Sequence, residues 1–474
     1  MDGASFGFLS LLPPLLAIGL AVWTRRVYLS LAAGIWLGWV VLSGWHPGRG
    51  LAASIDATVR VLGEPGNAHV LLFTFAIGGL IAVIEANGGV RGFVDWVERS
   101  RWVDSGRRAQ VLAWLVGLVI FIESNITILV AGSVSRPLFD RFRVAREKLA
   151  YIIDSTSAPV CILIPFNAWG AYVLGLLGGQ GVERPLAVFL AAIPLNFYAL
   201  SALTLAGASA VFDLNWGAME DARRRAAEGE LQSSHASGAA DITDIAPEPS
   251  SEIPHRPINM ILPIAVMVGT MPLGMWITGG GRIADGSGTT SVLWAVLAGL
   301  AAAWILSRTQ DLLDLETLSD VTVSGAGGLT GMALVLLLAL VLGDVTMELG
   351  TGRYVAGVVE GTVPLPLLLP LVFLAAGGIA FATGSSWGTF AIVLPLAVPL
   401  AATLGVSASP FVAAVLSGGI FGDHCSPISD TTIISSLASA TDHIDHVRTQ
   451  LPYALAAGAV ATAGFAVVGA WLAL

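Results

Sequence analysis

An all-α polytopic membrane protein, built as an inverted repeat of about five transmembrane helices plus one re-entrant hairpin per half, is the fold class that the sequence predicts. Three observations carry that expectation: the density of apolar residues, the length of the apolar runs, and the placement of arginine and lysine. Of the 474 residues 55% are hydrophobic and only 12% charged, so most of the apolar surface has to be buried in lipid. Runs such as Gly7 to Trp23, Val27 to Leu42, Val70 to Ile84 and Ala454 to Leu474 approach the ~20 residues that cross a bilayer as a helix. Met1 to Phe8 carries only Asp2 as a charge, so the first run reads as a retained helix rather than a cleaved leader. Two cysteines, Cys161 and Cys425, cannot make a disulfide framework. The net charge of -10 says little, because the acidic excess sits partly in one loop.

That loop divides the chain. Residues 214–257 turn polar, with alanine, serine, proline and mixed charge and no apolar periodicity, which predicts a flexible linker between a first repeat (1–213) and a second (258–474). Arg223, Arg224 and Arg225 place the linker in the cytoplasm. The flanking halves match each other. Arg91-Gly-Phe-Val-Asp-Trp-Val-Glu98 parallels Arg353-Tyr-Val-Ala-Gly-Val-Val-Glu360, Phe121 and Phe381 each open a small polar cluster, and Asp154-Ser-Thr-Ser-Ala-Pro159 loosely parallels Asp423-His-Cys-Ser-Pro427.

Orientation follows from the basic residues. Arg25 and Arg26, Arg99 to Arg108, Arg136 to Lys148 and the linker all belong inside. The two consecutive loops at 99–108 and 136–148 cannot both be inside if residues 109–134 cross once. Residues 109–138 are therefore expected to form a hairpin that enters and leaves on one face, with Glu123-Ser-Asn-Ile-Thr127 at its tip. An odd number of crossings per half inverts the second repeat, so its hairpin at 364–404, with tip Thr383-Gly-Ser-Ser-Trp-Gly-Thr389, enters from outside. The short segments after Glu85 and Glu348 read as amphipathic surface helices.

Two further crossings are expected to be broken. Residues 411–436 are interrupted at Pro427, and residues 151–177 at Pro159 and Pro165, because proline removes a donor and clashes with the preceding turn. Tips and breaks then meet near the midplane, where freed carbonyls, hydroxyls and carboxylates suit a hard cation such as Na+. The candidate ion- and proton-binding residues are Asp154, Asp423, Asp430, Glu123, Asn125, Ser124, Thr127, Ser155, Thr156, Thr383, Ser385, Ser386, Ser426, Ser429 and Thr431. Carboxylates inside a membrane are costly and so point to function. The hydroxyls can equally bond back to their own helices. His424 is a possible proton relay or a residue that orients Asp423. Asp344 stays undecided, and Glu85 and Glu348 sit near segment ends where charge is cheap. The ligand count around Cys161, Cys425 and His424 is too short for a transition metal. Tryptophan reads mostly as interfacial belt, with Trp387 inside the second tip as the exception.

The runs GDHCSPISDTTIISS, GSSWGTFAIVLPLA and REKLAYIIDSTSAPVCILIPFNAWGAY make the chain similar to the NhaC-type Na+/H+ antiporter family, within a larger ion-transporter superfamily. The resemblance covers roughly residues 70–205 and 325–470. It implies inverted repeats with hairpins, a homodimer, and a transport domain moving against a scaffold in the plasma membrane of a prokaryote. The same family includes members that resemble exchangers of organic acids or amino acids.

Two functions follow. The first is exchange of Na+ or Li+ for H+; the second is Na+- or H+-coupled exchange or symport of a small organic acid or amino acid. Glu123 favours the first, since a fixed negative charge would repel a carboxylate substrate. Broken helices in an inverted repeat disfavour a channel. No GxxxxGK[ST] motif occurs, so neither a nucleotide nor ATP-driven pumping is expected, and no enzyme activity, cofactor or nucleic-acid partner is indicated. The expected partners are lipid, Na+ and H+.

Overall fold

The computed structural model describes residues 6–24, 26–98, 103–121, 123–165, 167–231, 253–282, 286–359 and 363–473, and the regular elements among them are all helical. Arg25, the Arg99 to Trp102 part of one basic loop, and linker residues 232–252 lie outside the described residues. Among the described residues, seven helices are long and apolar enough to cross a membrane, or eleven if each bent pair is one span. Apolar composition dictates helices here, because in lipid each backbone N–H and C=O must find a partner within its own segment.

The sequence runs translate into helices with shifted ends. Val27–Leu42 turns through 116° into Pro47–Gly63, an amphipathic helix that the apolar-run reading passed over because its mean hydropathy is low. Pro65–Ala86 is followed by the short helix Gly89–Glu98, and Thr330–Glu348 by Thr351–Val359. Gly106–Val119 and Ser124–Arg141 flank the Glu123 segment, while Leu365–Thr383 and Ser386–Thr403 meet at Gly384 and Ser385. Leu365–Thr383 lies tightly on Ala408–Cys425: a Cβ on Gly422 would stand 2.1 Å from the Gly377 carbonyl, so only glycine permits this approach.

Two broken helices occupy the centre. Ala408–Cys425 bends by 47° into Asp430–Ser439, across Ser426 to Ser429. In the first half, Arg146–Ser155 is interrupted at Thr156 and Ser157, resumes as Ala158–Leu163, and bends by 44° into Ala168–Gly179. Asp423 lies two residues before the end of its helix, as Cys161 does in Ala158–Leu163, and Asp154 lies one residue before the end of Arg146–Ser155. Pro165 follows its helix end by the same two residues as Pro427.

The linker also differs from expectation. Residues 214–231 are not a flexible tether, because Ala218–Ala227 is a helix. Its Met219, Ala222 and Ala226 are buried, the last two against Ala145, at a helical spacing disguised by small side chains. Two adjacent charges on the core hold this region in place: buried Glu147 pairs with Arg225, and Lys148 Nζ donates to the Leu214 carbonyl and, at 3.0 Å, to Asn215 Oδ1. Neighbouring Arg146 instead donates to both Asp140 oxygens at 2.9 Å. On the linker helix itself Arg223 bonds Glu220 and holds that carboxyl below its usual range.

Candidate ion-binding site

The second tip is built by backbone chemistry before any side chain reaches the site. Leu365–Thr383 ends on Gly384 at φ +66°, and a Cβ there would stand 2.4 Å from the Ile428 carbonyl, so glycine serves both the left-handed turn and the contact with the break. Ser385 caps the next helix by accepting from Gly388 N at 3.1 Å. That cap aims Ser386 inward, where its Oγ donates to Asp423 Oδ2 at 2.9 Å. From the other side, Ser426 Oγ donates to the Phe381 carbonyl at 2.8 Å. Tip and break are thus tied together.

The first half repeats this tie with other atoms. Asn167 Nδ2, just after the bend, donates at 2.8 Å to the Phe121 carbonyl, and Cys161 Sγ lies 3.6 Å from the same oxygen. Glu123 caps its own tip, accepting from Ser124 Oγ at 3.0 Å and from Asn125 N at 2.8 Å. Thr127 Oγ1 turns back to the Ile120 and Glu123 carbonyls. Asn125 Oδ1 is buried and unbonded. Trp387 joins the halves, with its ring 4.5 Å from Trp169 and its carbonyl accepting from Tyr172 OH at 2.9 Å.

Asp154 and Asp423 are both fully buried. Asp154 Oδ2 accepts from Gln450 Nε2 at 2.6 Å and, at 3.5 Å, from Thr432 Oγ1, and lies 3.6 Å from His446 Nε2. Thr432 also reaches the Asp423 carbonyl at 3.4 Å, linking the two aspartates. Oδ1 of each aspartate has no hydrogen-bond partner, and among the described residues no Lys or Arg side chain pairs with either. Asp430 starts the helix after the break, with Oδ1 accepting from Thr431 N at 2.9 Å, and is exposed. Ser429 and Thr431 are buried and share a hydrogen bond of 3.2 Å.

Other candidates fall elsewhere. Thr156 and Thr383 bond back to their own helices at 2.8 Å, Ser155 is buried beside Asp154, and none of these three reaches a carboxylate by a side-chain hydrogen bond. His424 faces Tyr198 OH at 3.0 Å and does not bond Asp423. Asp344 stands apart, paired with Arg60 at 2.6 Å on the wall of a separate cavity of about 1090 Å³. Sequence reading missed His446, Gln450 and Thr432. The spacing of His446, Thr449 and Gln450 on one face of a helix start was the available signal, but it resembles an ordinary cytoplasmic helix end.

Packed helices, paired broken segments and buried acids define a multi-pass membrane transporter. The sequence model of the Na+/H+ antiporter family matches residues 177–470, and the chain belongs to that family. It is 34% identical to an uncharacterized protein of Haemophilus influenzae over 97% of this chain and 90% of that one. It is also 30% identical to the arginine/ornithine antiporter ArcD of Halobacterium salinarum, over 44% of this chain and 41% of that protein. The fold is similar to that of the YdaH transporter of Alcanivorax borkumensis, with a TM-score of 0.54, 14% identity and 89% of each chain covered.

Proposed function

We propose that the protein is a secondary antiporter exchanging Na+ or Li+ for H+, with Asp423, Asp154 and Asp430 as the coupling carboxylates. The supporting observation is a pair of fully buried aspartates, each with one unbonded oxygen and no Lys or Arg partner among the described residues. A buried carboxylate needs compensation, which a bound proton or a bound metal cation supplies equally well. Competition between the two for the same oxygens produces exchange if the site changes sides only when occupied. Ser386 Oγ, Ser429 Oγ, Thr431 Oγ1 and the unwound carbonyls supply further oxygens of the kind Na+ prefers.

Access alternates in this proposal by movement of the hairpins and broken helices against the remaining helices. Each half contributes five crossings and one hairpin in opposite orientation, and the protein works as a homodimer in the plasma membrane. The paired ties of Asn167 to Phe121 and of Ser426 to Phe381 support the internal repeat, and the family resemblance supports the dimer.

A second reading, coupled exchange of an organic acid or amino acid, is favoured by the similarity to an arginine/ornithine antiporter over part of the chain. Proteoliposomes loaded with a pH-sensitive dye decide between them. Added Na+ or Li+ should move protons at once, with arginine, ornithine and small organic acids inert. A dye response to an organic solute and none to Na+ would overturn the first reading.

A further inference from the structure

Glu147, Tyr151 and Asp154, spaced by four and three residues, share one face of the Arg146–Ser155 helix, and His446, Gln450 and Tyr453 repeat that spacing on His443–Leu472. The two faces meet, since Asp154 accepts from Gln450 and the Tyr151 and Tyr453 rings lie 4.3 Å apart. A polar seam therefore runs between a broken helix and the last helix, and its Glu147 end lies about 10 Å along the helix axis from Asp154. All six residues are buried. Among the described residues, the buried side-chain atoms without a hydrogen-bond partner concentrate here: Glu147 Oε2, Tyr151 OH, Asp154 Oδ1, Asp445 Oδ2, both ring nitrogens of His446 and Gln450 Oε1. Polar groups shut away unpaired weaken a packed interface, and water entering the seam would satisfy all of them. The seam is closed here, and its chemistry favours opening.

Residues 214–227 cover the Glu147 end. Arg225 pairs with Glu147, and Ala222 and Ala226 pack on Ala145. Trp216 stacks on Tyr453, with the rings 4.8 Å apart and 7° from parallel, and its backbone N–H donates to Tyr453 OH at 2.9 Å. Lys148 Nζ donates to the Leu214 carbonyl and to Asn215 Oδ1. The segment thus holds both walls of the seam, Glu147 and Lys148 on one and Tyr453 on the other, and the walls cannot part while it stays docked. The buried side chains of its helix are only Met219, Ala222 and Ala226, so a charge-assisted pair with a buried carboxylate is a large share of its hold.

We propose that this seam is the cytoplasmic entrance to the carboxylates and that residues 214–227 are its lid, latched by Arg225 on Glu147. What passes through it rests on the exchange proposed above; the lid itself does not. Ser155→Cys, one residue beyond Asp154 and 2% exposed in the parent, reports opening of the full chain in membrane vesicles, with the chain lacking that substitution giving the background from Cys161 and Cys425. A small cationic methanethiosulfonate applied from the cytoplasmic side should modify position 155 slowly, and about tenfold or more faster once Arg225→Gln is added, the population change that matches loss of a charge-assisted bond. Applied from outside, it should show no such acceleration. Arg225→Lys, which keeps the cation, and Arg224→Gln, whose parent side chain pairs with Asp221 on its own helix, should both stay near the parental rate. The A145C/A222C variant, once crosslinked, holds the lid shut and should exchange no Na+ for H+ until dithiothreitol reduces it. No acceleration by Arg225→Gln, equal acceleration by Arg224→Gln, or undiminished exchange by the crosslinked variant would overturn the proposal. A parent chain that exchanges no Na+ for H+ refutes the exchange reading instead, and the labelling rates then decide the lid alone.

Discussion

Replacing Ser386 by alanine tests the site through a residue that carries no charge. Its hydroxyl donates to Asp423 Oδ2 at 2.9 Å inside a region from which water is excluded, and Ser386 itself is 1% exposed. A hydrogen bond to a charged group contributes about 1.5–3 kcal/mol. In the proposed mechanism the ionised carboxylate takes Na+, and that donor stabilises it while doing nothing comparable for the protonated form. At about 1.4 kcal/mol per factor of ten, its loss should shift the competition toward the proton by about ten- to a hundredfold at fixed pH. The half-saturating Na+ concentration in dye-loaded proteoliposomes should rise by that factor, and more alkaline buffer should restore the parental value. Ser386→Thr keeps the hydroxyl and should stay close to parental. An alanine variant that folds and exchanges with unchanged half-saturation and pH profile would remove Asp423 from ion binding.

Other perturbations separate the site from its support. D154N/D423N keeps side-chain size while removing both charges, and should fold yet exchange no Na+ for H+; parental exchange by that variant would mean that coupling resides elsewhere. Single cysteines at 107 and 143 should react with an impermeant maleimide from the cytoplasmic side only, and one at 403 from the outside only, so labelling of 143 from outside would reject the hairpin. Arg225→Gln leaves Glu147, 1% exposed, without its cation and should lower stability by about 1–3 kcal/mol, read as a drop in melting temperature with proton exchange per folded molecule preserved.

Much of this protein was legible in the chain because lipid is an undemanding solvent to read. Apolar runs must become helices, arginines must stay inside, and a proline next to aspartates and hydroxyls in such a run marks a break. Those rules pointed to the helix breaks before Ser124 and at Ser385, to the bends beside Pro165 and Pro427, and to the buried Asp154 and Asp423. Small residues hid the rest. The linker helix buries alanines, which carry no strong periodic signal, and Pro47–Gly63 is amphipathic enough to escape a search for apolar runs.

Partners across the fold were beyond the sequence for a different reason. That Asp154 meets Gln450 and His446, residues almost 300 positions away, depends on how the last helix crosses the Arg146–Ser155 helix, and no local spacing encodes a crossing. The sequence pairs Asp154 with Asp423 because both precede a proline, whereas the hydrogen bonds to the Phe121 and Phe381 carbonyls come from Asn167 and Ser426, beside Pro165 and Pro427. Composition determined that the chain would carry buried acids in a membrane; only tertiary packing decided which oxygens face one another, because hydroxyls such as Thr156 and Thr383 have a competing acceptor in the preceding turn of their own helix, whereas Ser386, first in its helix, has no such turn before it and reaches Asp423.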